Sequence, residues 1–280
     1  MSTRRSSRTF TRPLSAAAGA LALTTLITAA CSRDSTSPSG PQTISGPSQP
    51  IGSGTMAGYA TLDADGRVTS IGVALSDSAL LNLPTTPPPG MPGTMYDIPL
   101  PQVAKAVGFD HVFLGWNPLG HDPVQVYGLP HFDFHFYKVS SATQGGISPA
   151  DSQFAAKLAH RPADQFVPPS YMQLPGGIPF MGAHWVDTTS PELAPPPSNS
   201  VFTRTFMYGS YDGHFIFYEP MITKTEIEAA RNRVPSIASL PIKVPASYET
   251  PGLYPTSYSI AYDASAKVYR IALDGLVSRQ

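Results

Sequence analysis

Residues 131–137 read HFDFHFY. Polar and aromatic positions alternate without a break: His131, Asp133, His135 and Tyr137 form one set, Phe132, Phe134 and Phe136 the other. A period of two is that of a β-strand, whose successive side chains leave opposite faces of the sheet. The segment therefore predicts a strand that turns three phenylalanines to the main core and sets two histidines, an acid and a tyrosine on the other face. Neighbours on one face lie about 6.6 Å apart along a strand, and His131 and His135 about 13 Å. A flat strand cannot bring both histidines to one ion. Unless the strand is bulged, the primary pair is Asp133 with His135 or Asp133 with His131, and other strands complete the set.

Working outward, charged residues are 13% of the chain while prolines number 31. Little charge with abundant proline, glycine and aromatics favours strands joined by irregular turns over a helical protein. Residues 59–63 and 67–75 flank Ala64-Asp65-Gly66, a hairpin signal. Residues 109–116, 201–208 and 214–219 are further strand candidates, and 257–262 with 267–273 close the chain as a second hairpin. A helix is expected over 148–160, where Ser148-Pro149-Ala150-Asp151 supplies a cap, an early proline and an acid in the first turn. Another is expected over 223–234, opened by the capping box Thr223-Lys224-Thr225-Glu226. Residues 76–81 suit one helical turn, and the proline-rich stretches 84–101 and 190–198 read as loops. The fold class that results is mainly β, an antiparallel sandwich or barrel-like domain with two or three short helices, spanning residues 56–280.

The N-terminus says where such a domain works. Residues 1–12 carry Arg4, Arg5, Arg8 and Arg12 and no acid, and residues 14–30 are small and apolar. A basic region followed by a short apolar run is a secretory signal, and the run is too short for a comfortable membrane span of about 20 residues. Cys31, the one cysteine of the chain, follows Thr28-Ala29-Ala30. That junction resembles the lipobox of bacterial lipoproteins, with Thr28 where that family usually has leucine, and implies lipid on Cys31 and a membrane as partner. Residues 31–55, rich in Ser, Pro and Gly, are expected to be a flexible tether. Without the four signal arginines, 14 basic residues face 19 acidic ones, a formal charge of −5. A mildly acidic envelope protein without basic runs is not a nucleic-acid binder.

Further strands offer further candidate ligands. Gly182-Ala183-His184-Trp185 sets a histidine beside a tryptophan, and the alternation of 214–219 places Phe215, Phe217 and Glu219 on one face. A carboxylate in register with phenylalanines stays ionised only if paired or metal-bound. The candidate metal set is thus His131, Asp133, His135, His184 and Glu219. His111 and His121 flank the turn GWNPLGH and read first as turn-stabilising or hydrogen-bonded core residues, second as ligands. His160 falls at a helix end, and His214 faces away from Glu219 toward the surface. Imidazoles and carboxylates without sulfur fit Zn, Mn, Fe or Cu.

The runs GWNPLGHDP (115–123), YGLPHFDFHFY (127–137), MGAHWVD (181–187) and FTRTFMYGSYDGHFIFYEPMIT (202–223) together resemble a family of exported bacterial proteins grouped as a domain of unknown function. The resemblance covers roughly residues 52–225. It implies a mainly-β, oligomer-forming domain and brings no established activity. Cupins and alpha-type carbonic anhydrases also seat ligand histidines on strands, but Asp133 stands where their closely spaced His-x-His would continue, so no residue role carries over.

No nucleophile elbow, phosphate loop or dinucleotide fingerprint names a reaction. Three functions fit the sequence. One is an envelope lipoprotein that binds a divalent metal. A second is a metal-dependent enzyme on a small envelope substrate, with Glu219 or Asp133 as base toward metal-bound water. A third is a non-catalytic protein that assembles with copies of itself.

Overall fold

The structure is a computed structural model that describes residues 40–280 apart from 90, 92, 197–199 and 236. The expected signal segment, Cys31 and residues 31–39 of the expected tether lie outside the described residues.

Four strands open the domain: β1 (Gln42–Ser45), β2 (Gln49–Ile51), β3 (Gly54–Leu62) and β4 (Val68–Ser76). Seven follow: β5 (Thr94–Pro99), β6 (His111–Asn117), β7 (His131–Tyr137), β8 (Tyr171–Gln173), β9 (Ala183–Asp187), β10 (Arg204–Tyr211) and β11 (His214–Thr223). Five close it: β12 (Ile237–Pro241), β13 (Gly252–Tyr254), β14 (Ser257–Asp263), β15 (Val268–Asp274) and β16 (Val277–Arg279). The middle seven form one antiparallel sheet in the order β5-β6-β7-β11-β10-β9-β8. The two ends of the chain build the other, in the order β1-β3-β4-β15-β14-β12 with β2 also on β3, and β13 pairs with β16. Neither large sheet closes into a barrel among the described residues, and one core takes side chains from both, a sandwich-like arrangement.

Phe132, Phe134 and Phe136 point into that core with no exposed surface, beside Ile71, Val73, Ile260 and Ile271 of the opposing sheet. The expected hairpin forms between β3 and β4. Asp63 Oδ1 accepts the backbone N–H groups of Asp65 and Arg67 (2.9 and 2.8 Å), and Gly66 takes a φ of +78° that side chains resist. The closing hairpin, β14 with β15, also forms as read.

Several expectations are corrected. Residues 42–54 are not tether: β1 and β2 lie along β3, and Ile51 is buried. Ladder hydrogen bonds to a sheet edge order a segment that has little apolar surface of its own. Strand β5 falls inside the stretch expected to loop, and as an edge strand it tolerates Pro99. Among the described residues the α-helices are short, as expected, and number five. The helix expected over 148–160 is reduced to Phe154–Ala159, because Ser148 Oγ and Asp151 Oδ1 accept nearby backbone N–H groups in local turns instead. Thr223 does cap its helix, Lys224–Ala229, accepting the Glu226 N–H at 3.2 Å.

Beyond the end of β7, the Lys138 ammonium sits 3.7 Å from the ring centre of Tyr254 and 5.6 Å from that of Phe109. Burial pushes it down to about 8, while the two rings favour the cation and offset part of that effect. The unfolded chain, with an ordinary lysine, binds more protons between that value and about 10.4, so the contribution of Lys138 to folded stability rises with pH across the window. Urea unfolding at about pH 7.5 and about pH 9, below the range where tyrosines ionise, should show a gain larger in wild type than in Lys138→Met by on the order of 1 kcal/mol. An equal gain in the variant would show that Lys138 is not its source.

Candidate metal centre

The second face of the middle sheet is also buried. His131, Asp133, His135 and Tyr137 are all covered, Asp133 the least so at 7% exposure. The ladder arranges their neighbours in rows. Across Asp133 run Met95, Gly115, Asp133, Met221 and Thr205, each opposite the next. Phe217 stands opposite Tyr137 and Met221 opposite Asp133, so Glu219 falls level with His135, and Met207 lies opposite Glu219. One row further, Phe217 faces Gly209, and Gly209 faces His184.

This geometry resolves seven candidate residues into two groups of three and one outsider. In the first group Asp133 takes His131 Nε2 at 3.2 Å on one oxygen and His121 Nε2 at 3.7 Å on the other. In the second, Glu219 takes His135 Nε2 at 3.4 Å and His184 Nε2 at 3.5 Å, again one on each oxygen. Within each group the donor atoms all lie within 4.8 Å of one another. His131 with Asp133 is thus one of the two pairs anticipated. The other, Asp133 with His135, is replaced by Glu219 with His135, because the adjacent strand brings a carboxylate closer than the strand's own pleat allows.

His121, read first as a turn residue, belongs to the first group. The loop after β6 folds back, with the His121 N–H bonded to the Tyr127 carbonyl, and returns the imidazole to the sheet. His111 joins neither group. Its ring nitrogens meet Asp110 Oδ1 (3.1 Å) and Gln144 Oε1 (2.9 Å), and the ring stacks on Tyr137, so it is a hydrogen-bonded core residue. His160 and His214 are exposed and pair with Asp212 and Glu249.

The tautomers follow from the partners. Nδ1 of His121, His131 and His135 lies 2.9, 2.6 and 2.8 Å from the carbonyl oxygens of Asp122, Leu129 and Phe113. A carbonyl only accepts, so each Nδ1 carries the hydrogen, and in the neutral ring each Nε2 turns a lone pair toward a carboxylate. Asn117 Nδ2 donates to Asp133 Oδ2 at 2.6 Å. Among the carboxylate and imidazole atoms of the two groups, three buried ones have no hydrogen-bond partner, His131 Nε2, Asp133 Oδ1 and Glu219 Oε2, and the Tyr127 hydroxyl on the cavity wall lacks one too.

The two groups differ in charge. Burial alone would raise the Asp133 carboxyl, but the nearby charges of His131 and His121 outweigh it and hold it well below the usual range. Burial likewise opposes charge on His121, and Asp133 overcomes it, so that imidazole is raised. Glu219 has no such support: burial, and then the charge of Asp133, push it well above the usual range. Burial also lowers His135, and burial with His135 brings His184 down to about 3. The first group thus favours an ionised carboxylate and the second a protonated one. A divalent cation among the second would favour the ionised carboxylate.

Asn117, His121, Asp133, His135, His184 and Glu219 all line one cavity of about 310 Å³. Two glycines shape the packing around these groups. A Cβ on Gly209 would stand 1.9 Å from Phe217 Cζ, so the bare backbone lets that ring lie across it. There the ring meets both imidazoles of the second group, His135 at 4.9 Å and His184 at 5.3 Å between ring centres. Gly115 leaves space beside Asp133. The expectation that Phe215, Phe217 and Glu219 share a face fails at Phe215. The register of β11 slips by one residue between Gly209 and Ser210, making Ile216 a bulge that sends Phe215 to the main core beside Trp185.

Sequence reasoning passed over Asn117 and the two glycines. Asn117 and Gly115 do alternate within GWN in step with one face of β6, a signal that becomes informative once that strand is known to pair with β7.

A protein family described as TTHB210-like (Hypothetical protein TTHB210) matches residues 63–116. That span takes in His111 and Gly115 and ends before any member of the two groups. No curated protein and no solved structure matches the chain.

Because Gly209 admits the Phe217 ring, Gly209→Ala should destabilise the fold by about 1–3 kcal/mol through overpacking. Gly115→Ala, where the new methyl meets nothing closer than 3.4 Å, should be tolerated. Urea midpoints compare the two, and equal midpoints would refute the packing described.

Proposed function

We propose that this chain is a cell-envelope lipoprotein, anchored through lipid on Cys31, whose β domain binds divalent metal with His121, His131 and Asp133 and with His135, His184 and Glu219. One observation carries the metal reading. Three imidazoles are fixed by backbone carbonyls so that their free nitrogens converge on two buried carboxylates, and three of the converging atoms lack any partner. Holding a ligand histidine by its other ring nitrogen is the usual support of a metal site. In a merely structural polar face most buried atoms are satisfied, and a convergence of three unpartnered ones on one face is unusual.

Two imidazoles and one carboxylate per group suit Zn, Mn, Fe or Cu and leave coordination positions for water or substrate. The cavity favours the second reading, an enzyme, since about 310 Å³ exceeds what ions need and matches the small end of ligand pockets. In that reading the residues bind and orient a small envelope substrate, and one carboxylate accepts a proton from water. The envelope location is supported by the basic, apolar and small-residue order of residues 1–31.

Elemental analysis and chelator-competition titration of the purified full chain with Zn(II) test the metal reading. Wild type should bind zinc, and Asp133→Asn and Glu219→Gln should each weaken binding at one group by about 10–100-fold. Zinc content unchanged in both variants would refute it. Metabolic labelling with a fatty acid tests the anchor: label should appear in wild type and vanish in Cys31→Ser, and its absence from wild type would remove the anchor.

A further inference from the structure

We infer that the cavity also takes copper as the monovalent ion, with methionine thioethers beside the two carboxylates as added soft donors; this rests on the metal-binding reading above, the divalent ion and Cu(I) sharing the imidazoles. Four of the eight methionines of the chain, Met95, Met181, Met207 and Met221, line this one cavity. Their positions follow the carboxylates. Met221 stands directly across the ladder from Asp133, and Met207 directly across from Glu219. Directly opposite residues share a face with Cβ atoms about 4.5–5.5 Å apart.

Met95 reaches Asp133 from the other side. It is two strands away, but the strand between contributes Gly115 to the row. A Cβ on Gly115 would lie 3.4 Å from both Met95 Sδ and Asp133 Oδ2, so the thioether sulfur bends over the bare glycine into the space beside the carboxylate. A larger residue at 115 would wall the sulfur off.

The donor chemistry then separates the metals. Imidazole serves zinc, iron and copper alike, and carboxylate serves the harder ions. Thioether sulfur is soft and uncharged and selects Cu(I). No cysteine is present among the described residues, so thioethers are the soft donors within reach. Neutral imidazole and thioether ligands also suit a monovalent ion in a buried site, where less charge has to leave water.

The competing account is that methionine fills irregular apolar space because it is flexible. Leucine would then serve as well, and a Met→Leu exchange keeps volume and apolar character. The test follows from that difference. The full chain and its Met95→Leu/Met207→Leu/Met221→Leu variant are titrated with Cu(I) under anaerobic conditions against a chromophoric Cu(I) chelator, and with Zn(II) against a chromophoric Zn(II) chelator. Thermal unfolding verifies that the variant is folded. The expected result is a loss of Cu(I) affinity of about tenfold or more, with zinc affinity held by the imidazoles and carboxylates. X-ray absorption of the Cu(I)-loaded wild type should show sulfur bound to copper. Unchanged Cu(I) affinity in the variant, or a copper spectrum with nitrogen and oxygen neighbours alone, would overturn the copper assignment while leaving metal binding in place. Failure of wild type to bind either ion would overturn both.

Discussion

A carboxyl group leaves water only if something replaces its hydration, and this fold takes two of them, Asp133 and Glu219, onto the covered face of its central sheet. Nearly everything distinctive in the structure answers that constraint. Four imidazoles and one amide surround the two groups. Backbone carbonyls hold three of the imidazoles in the tautomer that faces the carboxylates. The compensation is unequal. Asp133 has enough positive and donating neighbours to stay charged, whereas Glu219, with neutral imidazoles and the negative charge of Asp133 nearby, is driven toward its protonated form.

Such a face needs space, and the sheet supplies it by leaving out atoms. Gly115 and Gly209 each occupy a place in a row where a side chain would have filled the cavity or displaced an aromatic ring. The bulge at Ile216 separates two phenylalanines that strict alternation would have kept together, sending Phe217 to the imidazoles and Phe215 to the main core. The loops after β6 and β8 then cover the face with His121 and with residues 174–178, turning what would be a solvated surface into a chamber.

Much of the fold was legible in the residues. The alternation of 131–137, the turn at 63–67, the closing hairpin and the Thr223 cap are local patterns, and each formed where read. Local patterns failed where pairing outvoted composition: β1, β2 and β5 have poor strand sequences and exist because a neighbouring edge accepts their backbone. Of the candidate ligands all five leading residues came to the site, His121 joined them, and His111 stayed outside with both ring nitrogens satisfied.

The sequence by itself determined that one strand would carry histidines and an acid back to back with phenylalanines, because side-chain direction in a strand depends on residue parity alone. It also determined that nitrogen, oxygen and thioether donors, without thiolate, are what the described domain has to offer. Only the tertiary structure decided which acid serves which histidine. His184 lies two strands from Glu219, and His121 returns from a loop, so their meeting depends on strand order, register and a fold-back that residue spacing does not encode. The same is true of burial. Whether a polar face meets water or encloses a chamber is settled by what packs over it, and here that cover comes from the fold-back of the β6–β7 loop and from residues 174–178, distant in the chain.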